Sequence, residues 1–132
     1  MKSESKDKPG PVVRVGEEIQ WHSPSPHNRS MSILFERDIT PTKSMAAGVV
    51  TLPPGEAQPK LSVHEVEEIY FILQGRGKFV LDEMEYEVER HTAIYVAPGT
   101  KHRAYNTSKE EMLMFFVSGQ GRFLLECPCI SV

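Results

Sequence analysis

The sequence predicts an all-β domain of the small sandwich or barrel type, and three observations predict it. Its 132 residues carry about nine short apolar segments, set roughly eight to twelve residues apart and punctuated by Gly and Pro. No segment shows a sustained helical period bounded by start and stop caps. The length suits one domain with a single core.

Taken in order, residues 1–11 (MKSESKDKPGP) read as a disordered polar leader, and residues 12–132 as one domain. Val13, Val15, Ile19 and Trp21 suggest a short strand, a turn near Gly16 and a second extended piece. The stretch from His22 to Ser30 is rich in Pro and Ser and reads as loop. MSILF (Met31 to Phe35) can form a strand, and the next ten residues connect. The run from Ala46 is a strand stopped by Pro53, Pro54 and Gly55. EIYFIL and GKFVL are strands with Gly75 and Gly77 at the bend between them. Asp82 and Glu83 make a tight turn before EYEVE. HTAIYV, HRAYN and MLMFFVSG are three further strands, with SKEE turning between the last two, and GRFLLE can add one more.

Composition excludes several classes of function. A formal net charge of −3 offers no basic surplus for nucleic acid. No apolar run reaches the roughly 20 residues that cross a bilayer, and the first residues lack an apolar h-region. The expectation is a cytoplasmic protein without nucleic-acid or membrane partners. Cys127 and Cys129 stand as CPC; a disulfide there would be strained by the intervening proline, so they read as reduced, structural thiols.

Two segments concentrate the chemistry. GEAQPKLSVHEVEEIYFILQG (Gly55 to Gly75) carries His64 and Glu68, and APGTKHRAYN (Ala97 to Asn106) carries His102. Strand alternation puts Ser62 with His64, groups Glu68 with Tyr70 and Ile72, and groups His102 with Ala104 and Asn106. In a barrel both histidines and Glu68 can face the interior together. A carboxylate in an apolar interior needs a cation, a strong donor or a proton. Imidazole nitrogens and a carboxylate oxygen suit a divalent transition metal.

These segments resemble the cupin family, whose fold is a double-stranded β-helix, a small jelly-roll barrel. The run His64-x3-Glu68-x6-Gly75 matches the second His, the Glu and the closing Gly of the family's first motif. Gly99-x2-His102-x3-Asn106 matches the second motif, with Pro98 near the expected proline. The resemblance covers a motif core of residues 46–119. It departs in three places: Ser62 stands where the first metal-binding His is expected, Gly55 is one residue too far upstream, and His91 replaces a motif Gly.

The resemblance implies a divalent metal (Fe, Mn, Zn, Ni or Co) on His64, Glu68 and His102. The partner would be a small-molecule ligand or substrate, in a dimer built on N-terminal strands. Loss of the fourth ligand has two readings: an open catalytic centre, with Ser62 holding a water, or a pocket that works without metal. Tyr70 is the candidate acid or base, or else a core aromatic. Ile72, Met114 and Phe116 supply apolar wall, and Asn106 pins backbone. His22 and His27 read as loop histidines and His91 as surface. Arg103 should point away from the site, Glu65 and Glu67 should be solvated, and Arg29 and Lys60 could meet an anion at the mouth. The function classes left open are a metal-dependent enzyme of undetermined reaction (dioxygenase, lyase, decarboxylase or isomerase), a non-catalytic small-molecule binder or sensor, and a partner-binding module.

Overall fold

The computed structural model describes residues 11–16, 30–37, 39–58 and 61–120. Eight strands form among them: β1 (Ser30–Phe35), β2 (Ala46–Leu52), β3 (Glu68–Gln74), β4 (Gly77–Leu81), β5 (Met84–Val88), β6 (Ala93–Val96), β7 (His102–Asn106) and β8 (Met112–Ser118). They make a five-stranded sheet in the order β1-β2-β8-β3-β6 and a three-stranded sheet in the order β5-β4-β7. Sequence neighbours are seldom sheet neighbours, which is the jelly-roll connectivity. No helix among the described residues is long and apolar enough to cross a membrane.

Period-two alternation builds the interior. In β3 and β8 every second side chain is buried, and the register pairs Tyr70 with Phe116 and Ile72 with Met114. Phe79 of β4 comes from the other sheet, and Phe79, Phe116, Ile72, Met112 and Met114 are all fully buried. Each such side chain contributes about 1.5–3 kcal/mol by leaving water. Ala57 and Ser62 each join the small sheet at β7 through an isolated bridge, Ala57 to Tyr105 and Ser62 to His102. Next to Ala57, the Gln58 side-chain Oε1 accepts from the Ala104 amide at 2.9 Å.

The barrel is less closed at its other seam. Met84, Tyr86 and Val88 share a face of β5 opposite Leu81, Phe79 and Gly77, yet only Val88 is buried. A cavity of about 370 Å³ lies there, lined by Phe79, Leu81, Tyr86, Ile94 and Tyr95 among others.

The N-terminal expectation needs correction. Residues 11–16 form no strand. Val13 is 81% exposed, so the Val13/Val15 alternation has no apolar surface to cover. Arg14 instead donates to the Ile33 and Leu34 carbonyls at 3.1 and 2.7 Å. The expected extended piece at Trp21, the GRFLLE strand, His22, His27, Arg29, Lys60, Cys127, Cys129 and residues 1–10 of the leader lie outside the described residues.

Two local features carry testable energies. His91, which stands in place of a motif glycine, has φ 72 and stacks on Phe71 at 5.8 Å. Because the left-handed conformation costs a non-glycine residue about 1–2 kcal/mol, His91→Ala, which loses the stack and keeps the strain, should be less stable than His91→Gly by about 1 kcal/mol in chemical denaturation. Asn106 donates through Nδ2 to the Leu52, Pro53 and Glu110 carbonyls at 3.0, 3.0 and 2.8 Å, and its Oδ1 accepts from the Ser108 amide and hydroxyl. Asn106→Ala strands several buried partners at once and should cost about 2–4 kcal/mol by the same measurement.

Candidate metal centre

Three elements deliver the two imidazoles and the carboxylate of the interior. Glu68 opens β3 and, with Tyr70 and Ile72, points inward. His102 opens β7 and shares its inward face with Ala104 and Asn106. His64 lies in the irregular stretch before β3, where the Gly99 amide donates to its carbonyl at 2.8 Å. Gly99 has φ 82, a conformation in which glycine carries no Cβ strain, so this glycine turns the second motif back onto the first. Ser62 and His102 exchange both backbone hydrogen bonds at 2.8 Å. Directly paired residues in an antiparallel ladder project to the same side, and Ser62 therefore stands beside the His102 ring.

The geometry converges on one point. Glu68 Oε1 lies 3.6 Å from His64 Nε2 and 3.4 Å from His102 Nε2, and one ligand atom from each residue falls within 4.8 Å of the others. Two donors on one divalent ion, each at about 2.1 Å, stand about 3.0–3.4 Å apart. The His102 Nδ1 to Thr100 carbonyl contact of 3.1 Å puts the ring proton on Nδ1, because a carbonyl only accepts. In the neutral ring, Nε2 then presents a lone pair to a carboxylate oxygen that also only accepts. Glu68 is 1% exposed, and its Oε2 has no hydrogen-bond partner among the described residues. Acceptors facing one another in a dry interior need a proton or a cation between them, and the donor set is one a divalent transition metal takes.

The surrounding backbone is fixed around this point. The Asp82 amide donates to the Lys101 carbonyl at 2.7 Å and Asp82 Oδ1 accepts from the Lys101 amide at 3.0 Å, which ties the β4–β5 hairpin to the residue before His102. Beside Glu68, the Glu67 carboxylate accepts from the Tyr95 hydroxyl at 2.9 Å, and that hydrogen bond holds the Tyr95 phenol above its ordinary value of 10.0, with burial and the carboxylate charge adding to it. Tyr95 was not singled out in the sequence.

The other sequence candidates fall in distinct places. The Tyr70 hydroxyl is 3.5 Å from Glu68 Oε1, and its ring packs between Phe79, His102 and Phe116 at 5.2, 6.0 and 6.2 Å. Phe79 stacks nearly parallel to the His102 ring. Ile72, Met114 and Phe116 belong to the fully buried core. Asn106 has its amide engaged with backbone, as described above. Arg103 donates to the Gln58 carbonyl and lies over the Tyr105 ring at 5.1 Å. Glu65 and Glu67 are exposed, as is His91. Sequence reasoning missed Ser118, which is fully buried on the inner face of β8 directly opposite Glu68. The signal was there, since Ser118 has the parity of Met112, Met114 and Phe116 and is the one polar residue in that row.

Comparison with known proteins agrees with this architecture. A cupin-domain family model matches residues 48–118. An uncharacterized protein of Methanocaldococcus jannaschii is 38% identical over 64 residues, which is 48% of this chain and 50% of that protein; the chain thus spans half the length of that curated relative. Two solved structures are similar in fold. One, described as a predicted oxalate decarboxylase from Thermotoga maritima, has TM-score 0.73 and 21% identity over 83% of this chain and 99% of that one. The other, Bacillus subtilis oxalate decarboxylase in work on its Mn(II) centres, has TM-score 0.68 and 16% identity over 80% of this chain and 28% of that one. With its family match covering more than half of its length and the jelly-roll sheets in place, this chain belongs to the cupin family.

Proposed function

We propose that the chain binds a divalent metal through His64, Glu68 and His102, and uses it to act on a small anionic or carbonyl-bearing metabolite. The observation that carries this reading is the convergence of two imidazole nitrogens on a buried carboxylate oxygen, with the second carboxylate oxygen left without a hydrogen-bond partner among the described residues. Three protein ligands leave coordination positions open, as catalytic rather than structural metal sites do. The bound ion would supply Lewis acidity or an oxygen-activating centre. Around it, the Thr100 carbonyl would hold His102 in one tautomer, Ser62, standing where the family's first histidine is expected, would hold a water in the open position, and the Tyr70 hydroxyl beside Glu68 Oε1 would be the group to give or take a proton. The buried wall of Ile72, Met114 and Phe116 keeps water from that side. Dioxygenation, decarboxylation, lyase chemistry and isomerisation all fit this donor set, because the fold does not choose among them. Manganese is the first ion to test, given the Mn(II) centres of the similar Bacillus subtilis protein.

The rival is a non-catalytic binder in which the same pocket takes a small molecule without metal. A homodimer is the assembly this reading carries: Tyr95, Ile69, Val117 and Ala47 run as one apolar row across the outer face of the five-stranded sheet.

Elemental analysis of the purified protein separates the two. Glu68→Ala and His102→Ala should each lose at least nine-tenths, roughly, of the retained metal while keeping β circular dichroism, as loss of one of three ligands implies. Equal metal content in wild type and both variants would contradict the assignment. Ser62→His should tighten Mn²⁺ binding by about tenfold or more by adding a fourth protein ligand; unchanged affinity would mean that residue 62 does not reach the ion.

A further inference from the structure

Ser118 is a serine on a face that is otherwise apolar along β8. It is fully buried, and its hydroxyl has no hydrogen-bond partner among the described residues. The same is true of one other atom nearby, Glu68 Oε2. An unsatisfied buried hydroxyl or carboxylate oxygen costs about 1–3 kcal/mol or more, so two such atoms on directly paired residues call for a common explanation.

The strand register supplies it. Glu68 and Ser118 are direct partners in the β3–β8 ladder. The Gly119 amide donates to the Glu67 carbonyl at 2.9 Å, and a bond from the residue after one partner to the residue before the other brackets a non-hydrogen-bonded pair. In such pairs the side chains are the closer of the two kinds, with Cβ atoms about 4.5 Å apart. A serine hydroxyl moves between staggered wells about 120° apart, and from that separation it reaches a carboxylate oxygen. Ser118 is a donor, and Glu68 Oε2 is an acceptor with nothing to accept.

We propose that Ser118 is a positioning residue of the metal centre, its hydroxyl donating to Glu68 Oε2 and leaving Oε1 as the single carboxylate oxygen offered to the ion. The inference rests on the metal reading above and extends it to β8, the neighbour of β3 in the same sheet, which neither motif contains. It makes Glu68 a monodentate ligand and keeps one more coordination position open than a chelating carboxylate would. Outer-shell hydrogen bonds of this kind typically set metal affinity by 10–100-fold.

The test uses Co²⁺ as probe on the full chain, with affinity measured by chelator competition and coordination read from the visible d–d bands. Ser118→Ala should bind Co²⁺ about 10–100-fold more weakly and change the d–d spectrum, whereas Ser118→Thr, which keeps the hydroxyl, should stay within about threefold of wild type with the wild-type bands. Ser32→Ala is the control: Ser32 is also fully buried with no hydrogen-bond partner for its hydroxyl among the described residues, but it pairs with Val49 and faces the other side of its sheet, so its loss should leave affinity and bands unchanged. Wild-type affinity and spectrum in Ser118→Ala would overturn the proposal, as would an equal loss in Ser118→Ala and Ser32→Ala. A wild type that takes up no Co²⁺ would overturn the metal reading itself, and this inference with it.

Discussion

The interior of this barrel is arranged around one buried carboxylate, Glu68, with two imidazole nitrogens set against one of its oxygens. Moving an ionised carboxylate out of water costs several kcal/mol even after relaxation, and Glu68 sits 1% exposed with two imidazole nitrogens and the Tyr70 hydroxyl around one oxygen and, among the described residues, no hydrogen-bond partner on the other. A barrel that needed only to fold would place a leucine there. Instead the fold holds the group in position with several hydrogen bonds at or next to His64, Glu68 and His102.

Those devices lie outside the ligands themselves. Gly99 hands its amide to the His64 carbonyl, Thr100 accepts the His102 Nδ1 proton, and Ser62 shares both ladder bonds with His102. Asp82 ties the β4–β5 turn to Lys101, and Tyr95 with Gly119 holds Glu67 on the near side of Glu68. Three loops and a sheet edge therefore meet at one end of the barrel, while Asn106 closes the other by occupying the loop carbonyls. Rigid packing below and backbone-tethered ligands above are what a preorganised site requires, since a ligand set loosened by even an ångström loses much of its function.

Much of this was legible in the sequence because two periodicities are enforced by physics. Alternation along β3 and β7 follows from the pleat, so the inward positions of Glu68, Tyr70, His102 and Asn106 were readable from residue order alone. Gly75 and Gly99 carry positive φ and stand where the motifs demand them. What was not legible depended on cross-strand neighbours. Nothing local to VEEIY or FFVSG says that Ser118 faces Glu68; that follows from a register set by contacts far apart in sequence. The Val13–Val15 alternation misled for a related reason, because alternation predicts a strand only where there is a surface to bury it. His91 shows the converse, a motif departure that keeps the motif's backbone conformation.

The central claim, that the Glu68 carboxylate is there for a cation and not for the fold, is tested most directly by the thermal stability of Glu68→Gln against wild type at pH 8, once in EDTA and once in saturating Mn²⁺. A neutral amide can donate to the imidazole nitrogens that the carboxylate cannot satisfy, so the account predicts that Glu68→Gln melts higher than wild type without metal and lower with it. A variant that melts lower under both conditions, with wild type unmoved by Mn²⁺, would make Glu68 a structural hydrogen-bonding group and contradict the claim.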